Sequence, residues 1–148
     1  MNIAQALKLK NRLAGELARK QQILSRENAR RSDSVSKVDR QSIWNDILTI
    51  SDQLGELKGK ITRANVSIYP ALERMSELKS RIAYVERLPM REGEEVEYLG
   101  RDNERITRTW NSFINQEESD RLVAKYQAEI DELQDKVDAF NATTQLPV

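Results

Sequence analysis

The segment IWNDILTISDQLGELKGKITRANVSI, residues 43–68, carries the clearest structural pattern in the sequence. Its apolar residues alternate at spacings of four and three, at Ile43, Ile47, Ile50, Leu54, Leu57, Ile61, Ala64 and Ile68. Such a heptad pattern is typical of a helix with one narrow apolar seam. At about 1.5 Å per residue the helix is roughly 40 Å long. A seam of that length needs a partner helix.

The nearest partner is a first helix, predicted at residues 2–30, and the seam helix itself is predicted at residues 40–69. The segment SDSVSKVD, residues 32–39, is polar and Ser-rich and therefore predicts the loop between them. Asp39 or Ser42 is suited to cap the second helix because both side chains accept from free backbone N–H groups.

Pro70 follows the second seam directly, so it either kinks that helix or lies at the start of a new one. A third helix is predicted at residues 70–88 and ends before Pro89. The last helix is predicted at residues 116–140, with Glu118 positioned for a capping box. Its seam is a second strict one, at Val123, Tyr126, Ile130, Leu133, Val137 and Phe140.

Between these helices the pattern changes. Residues 90–114 lose helical spacing and gather β-formers, and the turn-like GRDN, residues 100–103, separates two alternating runs. We therefore predict a β-hairpin at about 94–114. An isolated hairpin is marginally stable, so this one must pack on a helix or on another subunit.

Together these features predict a single domain, residues 1–148, of the mainly α class: long antiparallel coiled-coil-like helices with a small β-hairpin insertion. Charged residues make up 32% of the chain and aromatic residues only 5%. This composition favours thin helical seams over one thick core. The seams leave apolar edges that one chain covers poorly, so we expect a homo-oligomer.

Composition also narrows the function. Lys plus Arg and Asp plus Glu both number 24, so no basic surplus indicates nucleic acid as a partner. There is no Cys and no His, which excludes thiolate and imidazole metal sites and the Ser–His or Cys–His nucleophiles. No membrane span, cofactor or signal-peptide core is indicated. The expectation is a cytoplasmic protein that is not an enzyme.

Two stretches carry a family resemblance: ALKLKNRLAGELARKQQILSRENA at residues 6–29, with ITRAN at residues 61–65, and EIDELQDKVDAFNATTQL at residues 129–146. The chain resembles the septicolysin-like family of small bacterial helical proteins, whose members end in an Asn-aromatic-Thr-Thr pattern. Here Ala142 replaces the aromatic residue, and ARRSDS, residues 29–34, replaces the family's acidic loop. The resemblance implies the helical fold. The family name implies a membrane-active cytolysin, although no segment has the apolar stretch that a pore needs.

The hairpin carries the most ligand-like chemistry, with Arg105, Arg108 and Trp110 near one another and Tyr98 on the opposite strand. A guanidinium binds phosphate through two hydrogen bonds, and an indole stacks on a base. Arg108 and Trp110 are two residues apart and would share a strand face. The alternative is that Trp110 and Phe113 only anchor the hairpin to the helices.

Four polar residues within the family-like stretches are further ligand candidates: Asn65, Asn141, Thr143 and Thr144. A capping role at the helix ends is the alternative. The basic residues around the first loop suit an anion or the C-terminal end of the first helix. The acidic clusters at residues 92–97 and 131–138 suit either a hard cation or solvent.

Two functions remain open. One is a non-enzymatic helical homo-oligomer that binds another macromolecule, which the two heptad seams favour. The other is a sponge that sequesters a small anionic nucleotide-like ligand at pockets between subunits, formed by the hairpin and the Asn/Thr tail. An enzyme is the weakest hypothesis, because carboxylates alone would have to supply the acid and the base.

Overall fold

The computed structural model describes all residues, 1–148, and is mainly helical, with a two-stranded antiparallel sheet. The predicted fold class is therefore confirmed. The elements in chain order are α1 (Ile3–Glu27), α2 (Arg40–Ala64), α3 (Tyr69–Arg87), β1 (Gly93–Leu99), β2 (Glu104–Trp110) and α4 (Gln116–Thr143). The chain divides into two compact units, residues 1–69 with 138–148, and residues 70–137.

In the first unit, α1 packs against α2 within the same chain. The core of this pair consists of Ala6 and Leu13 from α1 and Leu54, Leu57 and Ile61 from α2, all less than 9% exposed. The α2 residues belong to the heptad seam, so the narrow apolar stripe is the buried face, as its spacing predicts. Asp39 caps α2, because its Oδ1 accepts from the N–H of Ser42 at 3.2 Å.

The predicted helix at 40–69 ends five residues early, at Ala64. A turn over residues 65–68 follows, in which the N–H groups of Ile68 and Tyr69 both bond the carbonyl of Asn65. Pro70 is the second residue of α3, where its missing N–H costs no helical hydrogen bond. The proline therefore lies in the first turn of a new helix.

In the second unit, α3 and the part of α4 up to Val137 run antiparallel. Arg74 Nε lies 3.0 Å from the carboxylate of Glu129, and the Arg81 guanidinium lies 5.0 Å from the ring centre of Tyr126. Arg81 comes after Arg74 in α3, whereas its partner Tyr126 comes before Glu129 in α4. The two helices therefore run antiparallel. The residues buried here all belong to the predicted apolar faces or lie beside them: Met75, Leu78, Val85, Ser119, Ile130 and Val137.

The β-hairpin joins α3 to α4. Its register pairs Gly93 with Trp110 and Leu99 with Glu104, so the four residues Gly100–Asn103 form the connection. Gly100 and Asn103 have φ values of +70° and +49°, a left-handed conformation that glycine and asparagine tolerate best.

None of the four helices combines the length and the apolar content that crossing a bilayer requires.

Candidate functional site

The hairpin divides the four residues that the sequence groups into a ligand site. Tyr98 lies opposite Arg105, and this pair occupies one face of the sheet. Arg108 and Trp110 are two residues apart on β2 and share the other face. Arg108 Nε binds the carboxylate of Glu97 at 3.1 Å. The arginine that shares a face with the indole is thus already paired across the hairpin.

Asn65, Asn141, Thr143 and Thr144 belong to the first unit, whereas the hairpin belongs to the second. Asn65 ends α2, where its N–H donates to the carbonyl of Ile61 at 3.0 Å, and its buried Oδ1 has no hydrogen-bond partner. Thr143 Oγ1 donates to the carbonyl four residues earlier at 2.8 Å. Asn141 is half-buried. Thr143 and the backbone of Asn65 thus make contacts typical of helix ends.

Thr144 lies where the two ends of the chain meet. Its carbonyl accepts from the N–H of Ile3 at 3.1 Å, and Gln145 forms an isolated antiparallel bridge with Asn2. The Asn2 side chain accepts from Gln5 N–H at 2.8 Å and donates to the carbonyl of Ala142 at 3.0 Å. The tail is therefore held by the first turn of α1, in hydrogen bonds that need no ligand.

Two of the basic residues around the first loop, Arg30 and Arg40, also have partners within the chain. Arg30 forms an ion pair with Glu27, and Arg40 Nη1 donates to the carbonyls of Glu27 and Asn28 at 3.3 and 3.2 Å. These carbonyls lie at the C-terminal end of α1, where the helix leaves acceptors free. Both arginines therefore act at the helix end, which is the alternative that the sequence offers for them.

An open cavity of about 570 Å³ lies where the hairpin leaves the helices. It is lined by residues 110–114 together with Tyr84, Leu88, Pro89 and Arg91. We call it the hairpin-base cavity. Its volume falls within the range of small-ligand pockets, and most of its lining is aromatic or aliphatic.

Trp110 forms one wall of the hairpin-base cavity. The indole is half-buried, and its Nε1 is fully buried without a hydrogen-bond acceptor. Arg91 covers the ring, with its guanidinium carbon 4.1 Å from the ring centre, and Arg91 Nε donates to Glu95 Oε1 at 2.7 Å. The cation on the indole is thus neutralised by a carboxylate. The N–H donor of the indole, in contrast, is unused, which is uncommon for a buried tryptophan.

Ser112 holds the two ends of the hairpin together at this cavity. Its Oγ accepts from the N–H of Arg91 at 2.8 Å, and its own N–H donates to the carboxylate of Glu92 at 3.0 Å. These bonds continue the pairing of the strands beyond Gly93 and Trp110. They fix the segment that carries Phe113. They also occupy the hydroxyl group of Ser112, the only serine or threonine that lines the cavity.

Phe113 and Tyr84 present their rings to solvent at the cavity. Phe113 is 99% exposed and Tyr84 is 60% exposed. Phe113 therefore does not anchor the hairpin, contrary to the alternative that the sequence left open for it. The two exposed rings extend the apolar surface of the cavity toward solvent.

Of the predicted ligand candidates, only Trp110 lines this cavity; Tyr84, Arg91 and Phe113 complete it. Arg91 could have been found from the sequence. In a hairpin that turns at GRDN, the residues just before the first strand lie beside the end of the second strand, which places Arg91 near Trp110. Tyr84 had no such signal, since it lies outside the apolar spacing of the third helix. No group of three or more acidic side chains lies in an arrangement that could hold a metal ion.

No protein-family model matches the chain, and the comparisons with curated proteins and with solved structures find no match either.

Proposed function

We propose that this protein is a non-enzymatic, homo-oligomeric binding protein that takes up an apolar side chain of a partner protein in the hairpin-base cavity. The observation that carries the proposal is the 99% exposure of Phe113 at the rim of this cavity. An exposed aromatic ring gains free energy when a partner covers it, and aromatic residues in pockets are the usual centres of protein interfaces.

The polar groups of the cavity suit a protein ligand. The charge of Arg91 is balanced by Glu95, so the site has no free cation to attract a strongly charged ligand. The walls that the cavity offers to a ligand are mainly the rings and aliphatic side chains of Tyr84, Trp110 and Phe113 with Leu88, Pro89 and Ile114, which suit an apolar side chain. The Ser112 hydroxyl bonds the main chain of Arg91, and the nearby Glu92 carboxylate bonds the Ser112 N–H, so we propose binding without a chemical step.

The test is a selection of peptides from a randomised library on the wild-type protein, followed by titration of the selected peptides. Binding is measured by the emission of Trp110 in a Trp44→Phe background, which leaves one tryptophan. We expect the peptides to carry a large apolar residue and to bind Phe113→Ser at least about tenfold more weakly. Phe113→Ser should fold normally because the ring is exposed. Peptides that bind the variant as tightly as the wild type would refute the proposal.

A second candidate is the sponge for an anionic nucleotide-like ligand, favoured by the size of the cavity and by the guanidinium stacked on Trp110. A phosphate would have to displace Glu95 from Arg91. Thermal unfolding with a panel of nucleotides tests this, because a ligand at a hundredfold excess over its Kd adds about 2.7 kcal/mol of stability. If no nucleotide raises the Tm, the sponge is excluded.

The resemblance to the septicolysin-like family stays a prediction. Self-association is supported by apolar residues left exposed on several elements, among them Trp44 and Leu48 on α2 and Tyr98 and Leu99 on β1. Measuring the mass of the protein in solution over a dilution series tests it, and a mass equal to one chain at every concentration would contradict it.

A further inference from the structure

The outer side of α2 carries an uncharged face that no part of its unit covers. It has one residue per turn: Trp44, Leu48, Ser51, Gly55, Gly59 and Thr62. All but Gly59 are exposed, with Trp44 at 44% and Leu48 at 45%. At 100° per residue this face lies roughly 130° around the helix from the buried seam. The face carries no charge over five turns, although 32% of the residues of the chain are charged.

The two glycines of this face are placed symmetrically along the helix. Gly55 and Gly59 lie two residues on either side of position 57. Leu48 and Val66, a residue of the turn after α2 that is 65% exposed, lie nine residues on either side of the same position. An antiparallel copy of the helix would therefore meet glycine with glycine at its centre, and Leu48 would approach the turn that carries Val66.

Two charges along one edge of the face lie at nearly equal distances from this centre, and a third on that edge, Glu56, is paired with Lys60 within the chain. Asp52 and Arg63, both exposed, lie five and six residues from position 57 on the same edge. Asp52 forms no ion pair within the chain. In an antiparallel two-fold pair, the same edges face each other, so Asp52 of one copy meets Arg63 of the other, twice. Opposite charges at matching positions fix both direction and register.

The two glycines have no explanation within the chain. A Cβ on Gly55 would have no neighbour within 4 Å, and one on Gly59 would meet only the Arg63 guanidinium, at 3.9 Å. Alanine would fit both positions and would strengthen the helix. Glycines at the centre of an interface, in contrast, let two helices approach closely.

We infer that this face of α2 binds the same face of a second copy of the chain, antiparallel and about a two-fold axis near position 57. The inference rests on the self-association proposed above and names the surface that carries it. A face that is its own complement in shape and in charge is what a two-fold dimer requires. Lys58, at the opposite edge, would lie near its own counterpart and weakens the pair.

The experiment measures the dimer Kd by sedimentation over a dilution series, with a wild-type mass of twice the 17.1 kDa of one chain. Leu48→Glu and Asp52→Arg should each raise the Kd by at least about tenfold. Thr49→Glu, an exposed neighbour outside the face, is the control and should leave it unchanged. Combining Asp52→Arg with Arg63→Asp should restore the wild-type Kd to within about threefold.

The outcomes separate this inference from the proposal beneath it. A wild-type protein that is a monomer throughout overturns both. An oligomer that Leu48→Glu and Asp52→Arg leave intact keeps self-association and overturns the assignment of this face. If the single charge reversal weakens the dimer and the double reversal does not restore it, the antiparallel two-fold arrangement is wrong. Far-ultraviolet circular dichroism on each variant shows that the helices are intact.

Discussion

Asn2 joins the two ends of the chain, and replacing it with alanine removes two side-chain hydrogen bonds at once. Asn2 Oδ1 caps α1 by accepting from Gln5 N–H at 2.8 Å, and the Gln5 side chain completes the capping box. Asn2 Nδ2 donates to the carbonyl of Ala142 at 3.0 Å. Asn2→Ala leaves the first turn of α1 without its cap and the tail with one bond fewer.

The expected loss follows from these two bonds. Removing an N-cap costs about 1 kcal/mol, and a side-chain hydrogen bond contributes about 0.5–1.5 kcal/mol. Asn2→Ala should therefore lower the free energy of unfolding by about 2 kcal/mol, and the Tm by about 4–8 °C in a domain of this size. Asn2→Asp keeps the acceptor and loses only the donor to Ala142, so it should lose about half as much.

Urea unfolding measures the effect as a shift of the midpoint at constant slope. Asn11→Ala is the matched control, because Asn11 is exposed within α1 and alanine favours the helix there; it should be neutral or stabilising by about 0.5 kcal/mol. An Asn2→Ala variant within about 0.5 kcal/mol of the wild type would show that the tail is not held as described. That result would favour the ligand role predicted for Thr143 and Thr144.

Three further predictions concern single residues. Leu78 is 0% exposed, so Leu78→Ala should cost about 2–5 kcal/mol in urea unfolding, and a smaller loss would contradict tight packing in the second unit. Lys58→Gln should lower the dimer Kd in sedimentation by removing a like-charge contact at the two-fold axis; a raised Kd would contradict that axis. A hydrogen bond from Arg121 lowers the pKa of Glu118 in the folded protein. The Glu118–Arg121 pair therefore contributes to stability above the pKa that Glu118 has in the unfolded chain, and this contribution is lost as the pH falls through the lowered pKa of the folded state. An NMR titration in which Glu118 keeps an ordinary pKa would contradict that pairing.

The buried half of each helix could be predicted because packing imposes a period on the sequence. Ile47, Leu54 and Ile61 follow the heptad spacing and are all buried, and so are Ile130 and Val137 in α4. Where α2 ends was harder to predict. The apolar spacing continues through Ile68, but the chain leaves the helix after Ala64, so the pattern marks a buried side and not a helix end.

The candidate site was predicted only in part, because it is assembled from three segments. Trp110 stood out as an aromatic residue on a strand, yet the cavity also needs Tyr84 from α3 and Phe113 from the segment before α4. Arg108 was predicted to share a strand face with Trp110, and it does, but the cation that covers the indole is Arg91. The alternation along a strand predicts the face of the sheet on which a side chain lies. Its neighbour on that face depends on the path of the chain outside the strand.

The outer face of α2 shows a different reason why function is harder to infer from sequence than fold. A lone exposed apolar residue such as Trp44 is ordinary on a protein surface, and a lone glycine in a helix is a mild defect. Neither residue indicates a function by itself. The exposed positions can be recognised as a group only when the exposure of the whole helix is known, because the other apolar residues belong to the buried seam. Once the seam is assigned, the remaining uncharged positions form a face of their own, and the symmetry of its two glycines about position 57 becomes visible. A helix with a buried seam and a second uncharged face carries one helical period at two phases, and the stronger stripe conceals the weaker one.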